Sequence, residues 1–122
     1  MQPWASLVAS GQKTVELRSK PTSFRGELLI CAGARVDERG AAYPAGPTGH
    51  AVALVRVVGC RRATIEDAGA ACYRDEAGAF PWAWIFADAR PLAAPFPVKG
   101  QLSFFNVEHP SLPSAPQATL FA

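Results

Sequence analysis

The sequence contains few of the residues that build disulfide frameworks and metal centres. It has three cysteines, Cys31, Cys60 and Cys72, and two histidines. The odd cysteine count and the lack of a CxxC spacing argue against a disulfide framework, and two histidines supply no zinc ligand set. We therefore predict that the thiols are buried structural groups and that the protein uses no metal and no cofactor.

Long apolar runs and a strong charge of either sign are also missing. No run approaches the ~20 apolar residues of a membrane-spanning helix. Residues 1–10 lack the basic segment and the long apolar segment of a secretory signal. These absences predict a soluble, cytoplasmic protein with no membrane partner. The formal net charge of +2 permits a nucleic-acid partner without requiring one.

The composition is that of a folded domain. Hydrophobic residues make up 49% of the chain and charged residues 18%, which is enough apolar material for a packed core. A length of 122 residues favours one domain with one core. The proline-rich end predicts a loosely ordered tail, so we divide the chain into a domain at 1–109 and a tail at 110–122.

Hydrophobic periodicity predicts several strands and few helices, and therefore an α+β fold built on a small β-barrel. A helix is expected at 2–10, with weaker helices within 36–40 and 63–72. Strands are expected at 14–18, 27–32, 50–59, 80–89 and 103–107. Three prolines make 90–97 an extended loop or an edge, and Lys99 and Gly100 form a turn.

The first predicted helix carries a tryptophan on its apolar stripe. Trp4, Leu7 and Val8 share one helical face, and Gly11 is placed to end the helix. Trp4 has two interpretations. It packs in the core, or it forms a wall of a cleft and offers its indole to a base.

A cluster of charged residues follows that helix. Glu16 and Arg18 share one strand face, opposite Val15, and form either a surface ion pair or a base- and phosphate-binding pair. Lys13 is three residues before Glu16, so an ideal strand would turn the two apart. Both can serve one cleft only if Lys13 lies off the strand or reaches around its end.

Three further residues have both an ordinary interpretation and a binding interpretation. Arg25 precedes a glycine before a strand, and Lys99 also precedes a glycine; each is a turn residue or a phosphate ligand. Trp82 shares a strand face with Trp84 and Phe86. A core stripe explains that pattern, whereas a Trp82 exposed at the barrel rim would be a stacking platform.

Six segments, taken in order, resemble the ASCH domain, the activating signal cointegrator homology domain. They are QPWASL, GQKTVELRS, FRGELLICA, GHAVALVRVVGC, WAWIFADARPL and FPVKGQLSFFNV, and together they cover most of residues 2–107. The resemblance implies a PUA-like fold, a small mixed β-barrel with short helices. It also implies a cleft that binds RNA, DNA or a modified nucleoside.

The resemblance also bears on individual positions. Lys13 stands at the lysine of a GxKxxExR motif, which favours the binding interpretation of Lys13, Glu16 and Arg18. Family members usually carry an apolar strand before the QPW helix, and only Met1 stands there in this sequence. Either the start has been trimmed or misassigned, or the barrel lacks one strand. In the second case we expect a partner chain, giving a dimer, or the tail near Leu120 and Phe121 to cover the open edge.

Two function classes compete. The first is a nucleic-acid-binding module, most readily for RNA, or a modified-nucleoside-binding module, with a cleft beside the KTVELR strand formed by Trp4, Lys13, Glu16, Arg18 and Arg25.

The second class is a small hydrolase. Some ASCH relatives deacylate N-acylated cytidines with a lysine followed three residues later by a nucleophilic threonine, whose position Glu16 occupies here. A modified mechanism would use Glu16 as general base on water, with Lys13 and Arg18 stabilising the oxyanion. A ribonuclease, as reported for other relatives, would pair Lys13 with Ser103 or Tyr43. We favour binding, with Lys13 and Glu16 as the catalytic pair if the protein is an enzyme.

Overall fold

The computed structural model of the protein describes residues 1–98 and 118–122. Several predictions therefore lie outside the described residues. These are the turn and ligand contact at Lys99, the strand at 103–107, the partner role of Ser103 and the domain boundary after residue 109.

The described residues form a mixed α+β structure, as the periodicity predicts. The elements are α1 (Trp4–Ala9), β1 (Val15–Arg18), β2 (Gly26–Ala32), β3 (His50–Arg62), α2 (Ala68–Ala71), β4 (Trp82–Pro97) and β5 (Ala118–Phe121). Two 3₁₀ turns, Glu38–Gly40 and Ile65–Asp67, fall within the two segments where weak helices are expected.

The five strands form one sheet in the order β1-β4-β3-β2-β5. Strand β4 pairs with β1 and with β3, and β3 pairs with β2, all three antiparallel. Strand β5 pairs with β2 in parallel. Among the residues that the structure describes, the sheet stays open, with β1 and β5 as its outer strands. The predicted closure into a barrel is therefore not confirmed.

Strand β4 continues through 90–97, the segment whose three prolines predict either an extended loop or an edge. β1 pairs only with residues 82–85 of β4, so the second half of β4 has β3 on one side. Proline is tolerated in a strand where no ladder hydrogen bond is needed from its nitrogen. Among the described residues this half of β4 pairs with β3 alone, which agrees with the expectation of an edge segment.

The prediction of a loosely ordered tail is wrong for residues 118–121. Ala118 pairs with Leu28 and Leu120 pairs with Ile30, and all four side chains are buried. Apolar burial on this strand outweighs the effect of the prolines that precede it. The tail thus covers the edge of β2, one of the two occupants expected, while the dimer stays a prediction.

Helix α1 packs on one face of the sheet and brings its apolar stripe into the main core. Trp4, Leu7 and Val8 are buried against residues such as Leu28 and Trp84. A second cluster, with Leu29, Leu54 and Phe96, lies apart from the first. The sheet therefore holds α1 and the start of β1 in fixed positions.

The structure also tests the predictions made for the cysteines and for membrane-spanning helices. The three cysteines form no disulfide, and only Cys31 is buried, where burial raises the pKa of its thiol to about 12. Cys60 and Cys72 are half-buried, so the buried-thiol prediction holds for Cys31 alone. Within 1–98 and 118–122, no helix is long and apolar enough to cross a membrane.

Candidate ligand-binding cleft

A cleft of about 890 Å³ opens beside β1, and we call it the KE cleft after Lys13 and Glu16. It lies among α1, β1, the segment around Glu38–Gly40, the aromatic residues after α2, and the end of β5. Its lining residues include Trp4, Lys13, Glu16, Arg18, Asp37, Arg39, Tyr73, Phe80 and Phe121. Four of the predicted site residues thus meet at one cavity.

Lys13 reaches Glu16 because it lies off the strand. Its backbone N–H donates to the carbonyl of Leu7, which ties it to the end of α1, and β1 begins only at Val15. The Lys13 Nζ lies 3.6 Å from Oε1 of Glu16, with the two side chains 4% and 8% exposed. Lys13 and Glu16 can therefore serve one cleft, because Lys13 lies off the strand as the sequence analysis required.

The buried ammonium group of Lys13 has two more partners. Nζ donates to the carbonyl oxygen of Ala71 at 2.5 Å and lies 5.2 Å from the centre of the Trp4 ring. Burial lowers the pKa of Lys13, and the carboxylate of Glu16 partly opposes that shift. The charged form of Lys13 therefore depends on Glu16.

Arg18 places a second cation on the other side of Glu16. Its Nη1 lies 3.4 Å from both Glu16 Oε2 and the carbonyl oxygen of Phe121, and its guanidinium lies over the Trp84 ring. About a third of its side chain, 36%, is exposed. Glu16 therefore bridges a buried cation and one that reaches solvent at the mouth.

A second ion pair in the cleft was not anticipated from the sequence. Asp37 is buried and accepts from Nε1 of Trp4 at 2.9 Å. Arg39 donates Nε to Oδ1 at 3.0 Å and Nη2 to Oδ2 at 2.7 Å. Asp37 therefore fixes the indole from one side while its charge is compensated by Arg39 from the other.

An aromatic wall completes the cleft. Tyr73 makes edge-to-face contacts with Trp4 and Phe80, at centroid distances of 5.9 and 6.4 Å. The Arg39 guanidinium lies 5.4 Å from the Tyr73 ring and 5.6 Å from the Phe80 ring. The charged run at 37–39, in a Gly-, Ala- and Pro-rich stretch, is the one local signal in the sequence for this wall.

Other predicted residues lie elsewhere. The exposed Arg25 donates to the carbonyls of Thr22 and Phe24, because its own turn brings those acceptors within reach. Arg62 stacks on Trp82 at 4.6 Å, and Tyr43 packs against the main core. Arg25, Trp82 and Tyr43 do not line the KE cleft. The ligand contacts of Arg25 and Trp82 and the ribonuclease role of Tyr43 stay predictions.

The cleft offers cations, a shared carboxylate and aromatic rings. Over the part of the chain that the structure describes, no three His, Cys, Asp or Glu side chains cluster as a metal site would require. The groups at hand are those that hold an uncharged ring by stacking and hydrogen bonds and an anion by guanidinium groups.

The Asp37–Arg39 pair makes acid stability a measurable property of this cleft. Arg39 holds the pKa of Asp37 well below its usual range, chiefly by hydrogen bonding. A lowered carboxyl pKa stabilises the fold above the unfolded pKa of about 3.9, and that contribution is lost as the pH falls towards the folded value.

We therefore expect Asp37→Asn to be less stable than the wild type at pH 7, with the difference shrinking towards pH 2. Urea unfolding at a series of pH values measures it. Asp88→Asn is the matched control, because Asp88 is largely exposed and pairs with Arg56 only at 3.7 Å. A difference that stays constant with pH would contradict the role given to Asp37.

The chain was compared with known proteins. The family model of the ASCH domain matches residues 1–96, which include α1, β1 and every element through most of β4. No curated protein matches the chain. The match contains all of the KE cleft except the residues contributed by β5 and the end of the chain.

Proposed function

Because the chain belongs to the ASCH domain family, we propose that its KE cleft binds a base of single-stranded RNA or a modified nucleoside. The family as a whole is associated with nucleic acids and is PUA-like. Family membership also supports a complete PUA-like barrel, and the sequence supports a cytoplasmic place of action; both belong to this proposal.

One observation carries the proposal: a buried carboxylate, held by two cations, faces a cleft with an aromatic wall. Glu16 is an acceptor suited to the exocyclic amino group of cytosine or adenine. Its contacts with Lys13 and Arg18 fix the direction in which its oxygens point. The site therefore favours bases with an amino group on the edge that they present.

We propose stacking residues other than Trp4 and Trp82, the two tryptophans suggested by the sequence. Trp4 lines the cleft but is only 8% exposed, so little of its ring is available for stacking. Tyr73 and Phe80 are half-buried and line the same cavity. We assign the stacking face to these two rings, and phosphate contacts to Arg18 and Arg39 at the mouth.

The experiment is a calorimetric titration of the protein with cytidine, with N4-acetylcytidine and with short single-stranded RNA. Glu16→Gln keeps the shape of the side chain and removes its charge. We expect it to weaken binding roughly 10-fold or more, since a hydrogen bond to a charged group is lost. Lys13→Met should weaken binding by releasing Glu16 from its fixed position.

Asp88→Asn serves as the control, because it removes an exposed carboxylate outside the cleft lining. Circular dichroism of each variant verifies that the fold is retained. The proposal is wrong if wild-type protein binds none of the three ligands. The assignment to the KE cleft is wrong if Glu16→Gln and Asp88→Asn bind equally well.

A second candidate, hydrolysis of N-acylated cytidine, is favoured by the buried ammonium group of Lys13, which lies 3.6 Å from the carboxylate of Glu16. Glu16 would take a proton from water as its oxygen attacks the acyl carbon. Lys13 and Arg18 would stabilise the oxyanion, and the proton would pass to the departing cytosine amine as the C–N bond breaks. This reaction is tested by incubating the protein with N4-acetylcytidine and separating the products by chromatography. The wild type should form cytidine, and Glu16→Gln should not.

A further inference from the structure

A second cleft of about 460 Å³ adjoins the KE cleft. The two cavities share Leu17, Tyr73 and Phe80 as lining residues, so the aromatic wall divides them and belongs to both. We call the smaller one the α2 cleft, because Ala68 of α2 and Ile65 just before it lie on its surface. A ligand that passes over the wall would occupy both.

We propose that the protein binds two consecutive nucleotides of a single strand, with one base in the KE cleft, the next in the α2 cleft, and the linking phosphate at Arg39. This inference rests on the proposed function and extends it. It makes the ligand an oligonucleotide rather than a free nucleoside.

Arg39 lies where such a linkage would cross. Its guanidinium contacts both rings of the dividing wall, and 47% of its side chain is exposed. Asp37 engages the edge formed by Nε and Nη2, so the guanidinium plane is fixed by the protein. A guanidinium has five N–H donors, and those of Nη1 lie outside the edge that Asp37 engages.

The α2 cleft itself suits a base better than a phosphate. Among the described residues that line it, Arg74 is the one cation, and Asp75 and Glu76 add two carboxylates. Asp75 accepts from the backbone N–H groups of Ala79 and Phe80, which holds the Phe80 end of the wall in place. The remaining walls are largely apolar, and an exposed carboxylate at Glu76 can accept from a base amino group.

Ligand length provides the test. Calorimetry compares the common ribonucleosides with their dinucleoside monophosphates, and then compares the best dinucleoside monophosphate with its uncharged methylphosphonate analogue. We expect the best dinucleoside monophosphate to bind roughly 10-fold or more tightly than the best nucleoside, because a second base is stacked. The uncharged analogue should lose much of that gain.

Two variants locate the second base. Ala68→Phe fills the α2 cleft, and Glu76→Ala removes the exposed acceptor at its rim without burying a new group. Both should reduce dinucleotide affinity towards that of the nucleoside while nucleoside affinity stays within about 2-fold. Arg39→Lys keeps a charge beside Asp37 but lacks the planar fork that can contact Asp37 and a phosphate together. It should reduce the difference in affinity between the phosphate and methylphosphonate linkages.

The outcomes separate the two proposals. If nucleosides bind and dinucleotides gain nothing, the two-nucleotide inference is wrong and the proposed function stands. The same holds if the gain survives Ala68→Phe and Glu76→Ala together. If neither nucleosides nor dinucleotides bind, the proposed function fails and takes this inference with it.

Discussion

Glu16→Ala is expected to lower the free energy of unfolding by about 3 kcal/mol at pH 7, since breaking a buried ion pair leaves one charge without compensation. Lys13 is almost fully buried, and the Ala71 carbonyl and the Trp4 ring, which remain in contact with it without Glu16, carry no formal charge. Urea unfolding monitored by circular dichroism measures the change.

The pH dependence distinguishes this cause from a simple loss of packing. Removing Glu16 lowers the folded-state pKa of Lys13 further, so the unfolded chain binds the proton more tightly than the folded one. Stability of the variant should therefore rise with pH towards the unfolded value of about 10.4, and the gap to wild type should narrow. The double variant Lys13→Met/Glu16→Leu should recover most of the loss at pH 7. A loss below about 1 kcal/mol would contradict the burial of the pair.

Leu120→Ala is expected to cost about 2–5 kcal/mol, the range for truncating a fully packed leucine. Leu120 is buried in the main core and pairs with Ile30 in the parallel ladder between β2 and β5. The loss should also weaken ligand binding, because Phe121 on the same strand supplies the carbonyl that positions Arg18.

Ile65→Ala is the matched control for that substitution. Ile65 is 69% exposed, so its truncation should change stability by no more than about 0.5 kcal/mol. Thermal and urea unfolding of the two variants give the comparison. Equal costs would show that β5 does not pack as described.

The sequence predicts the local features of this molecule well. The stripe of α1 and the strand at 50–59 depend on nearest neighbours in the chain, and both appear in the structure. In β1 the faces alternate, since Val15 and Leu17 pack in one cluster, but Glu16 on the other face is buried as well. Strand geometry alone would separate Lys13 from Glu16; the sequence supplies only the condition for their meeting, that Lys13 lies off the strand, and the family resemblance favours it. Periodicity carries this information because burial repeats with the period of the element.

The rest depends on contacts that periodicity does not encode. Asp37 meets Trp4 across more than thirty residues, and Arg39 meets Tyr73 across a similar gap. Asp37 and Arg39 come from a Gly-, Ala- and Pro-rich segment, a composition typical of loops. The four residues of β5 are too few, after so many prolines, to stand out as a strand; pairing with β2 and burial decide their structure.

The parallel pairing of β2 and β5 has a consequence for the order of folding. Leu28 and Ala118 are ladder partners although they are roughly 90 residues apart in the chain. Closing so long a loop costs conformational entropy before any contact compensates for it, whereas β2, β3 and β4 pair with sequence neighbours. We expect β5 to dock after the central strands have formed. Because Phe121 and the Arg18 contact arrive with β5, the binding cleft would be the last part of the molecule to reach its working shape.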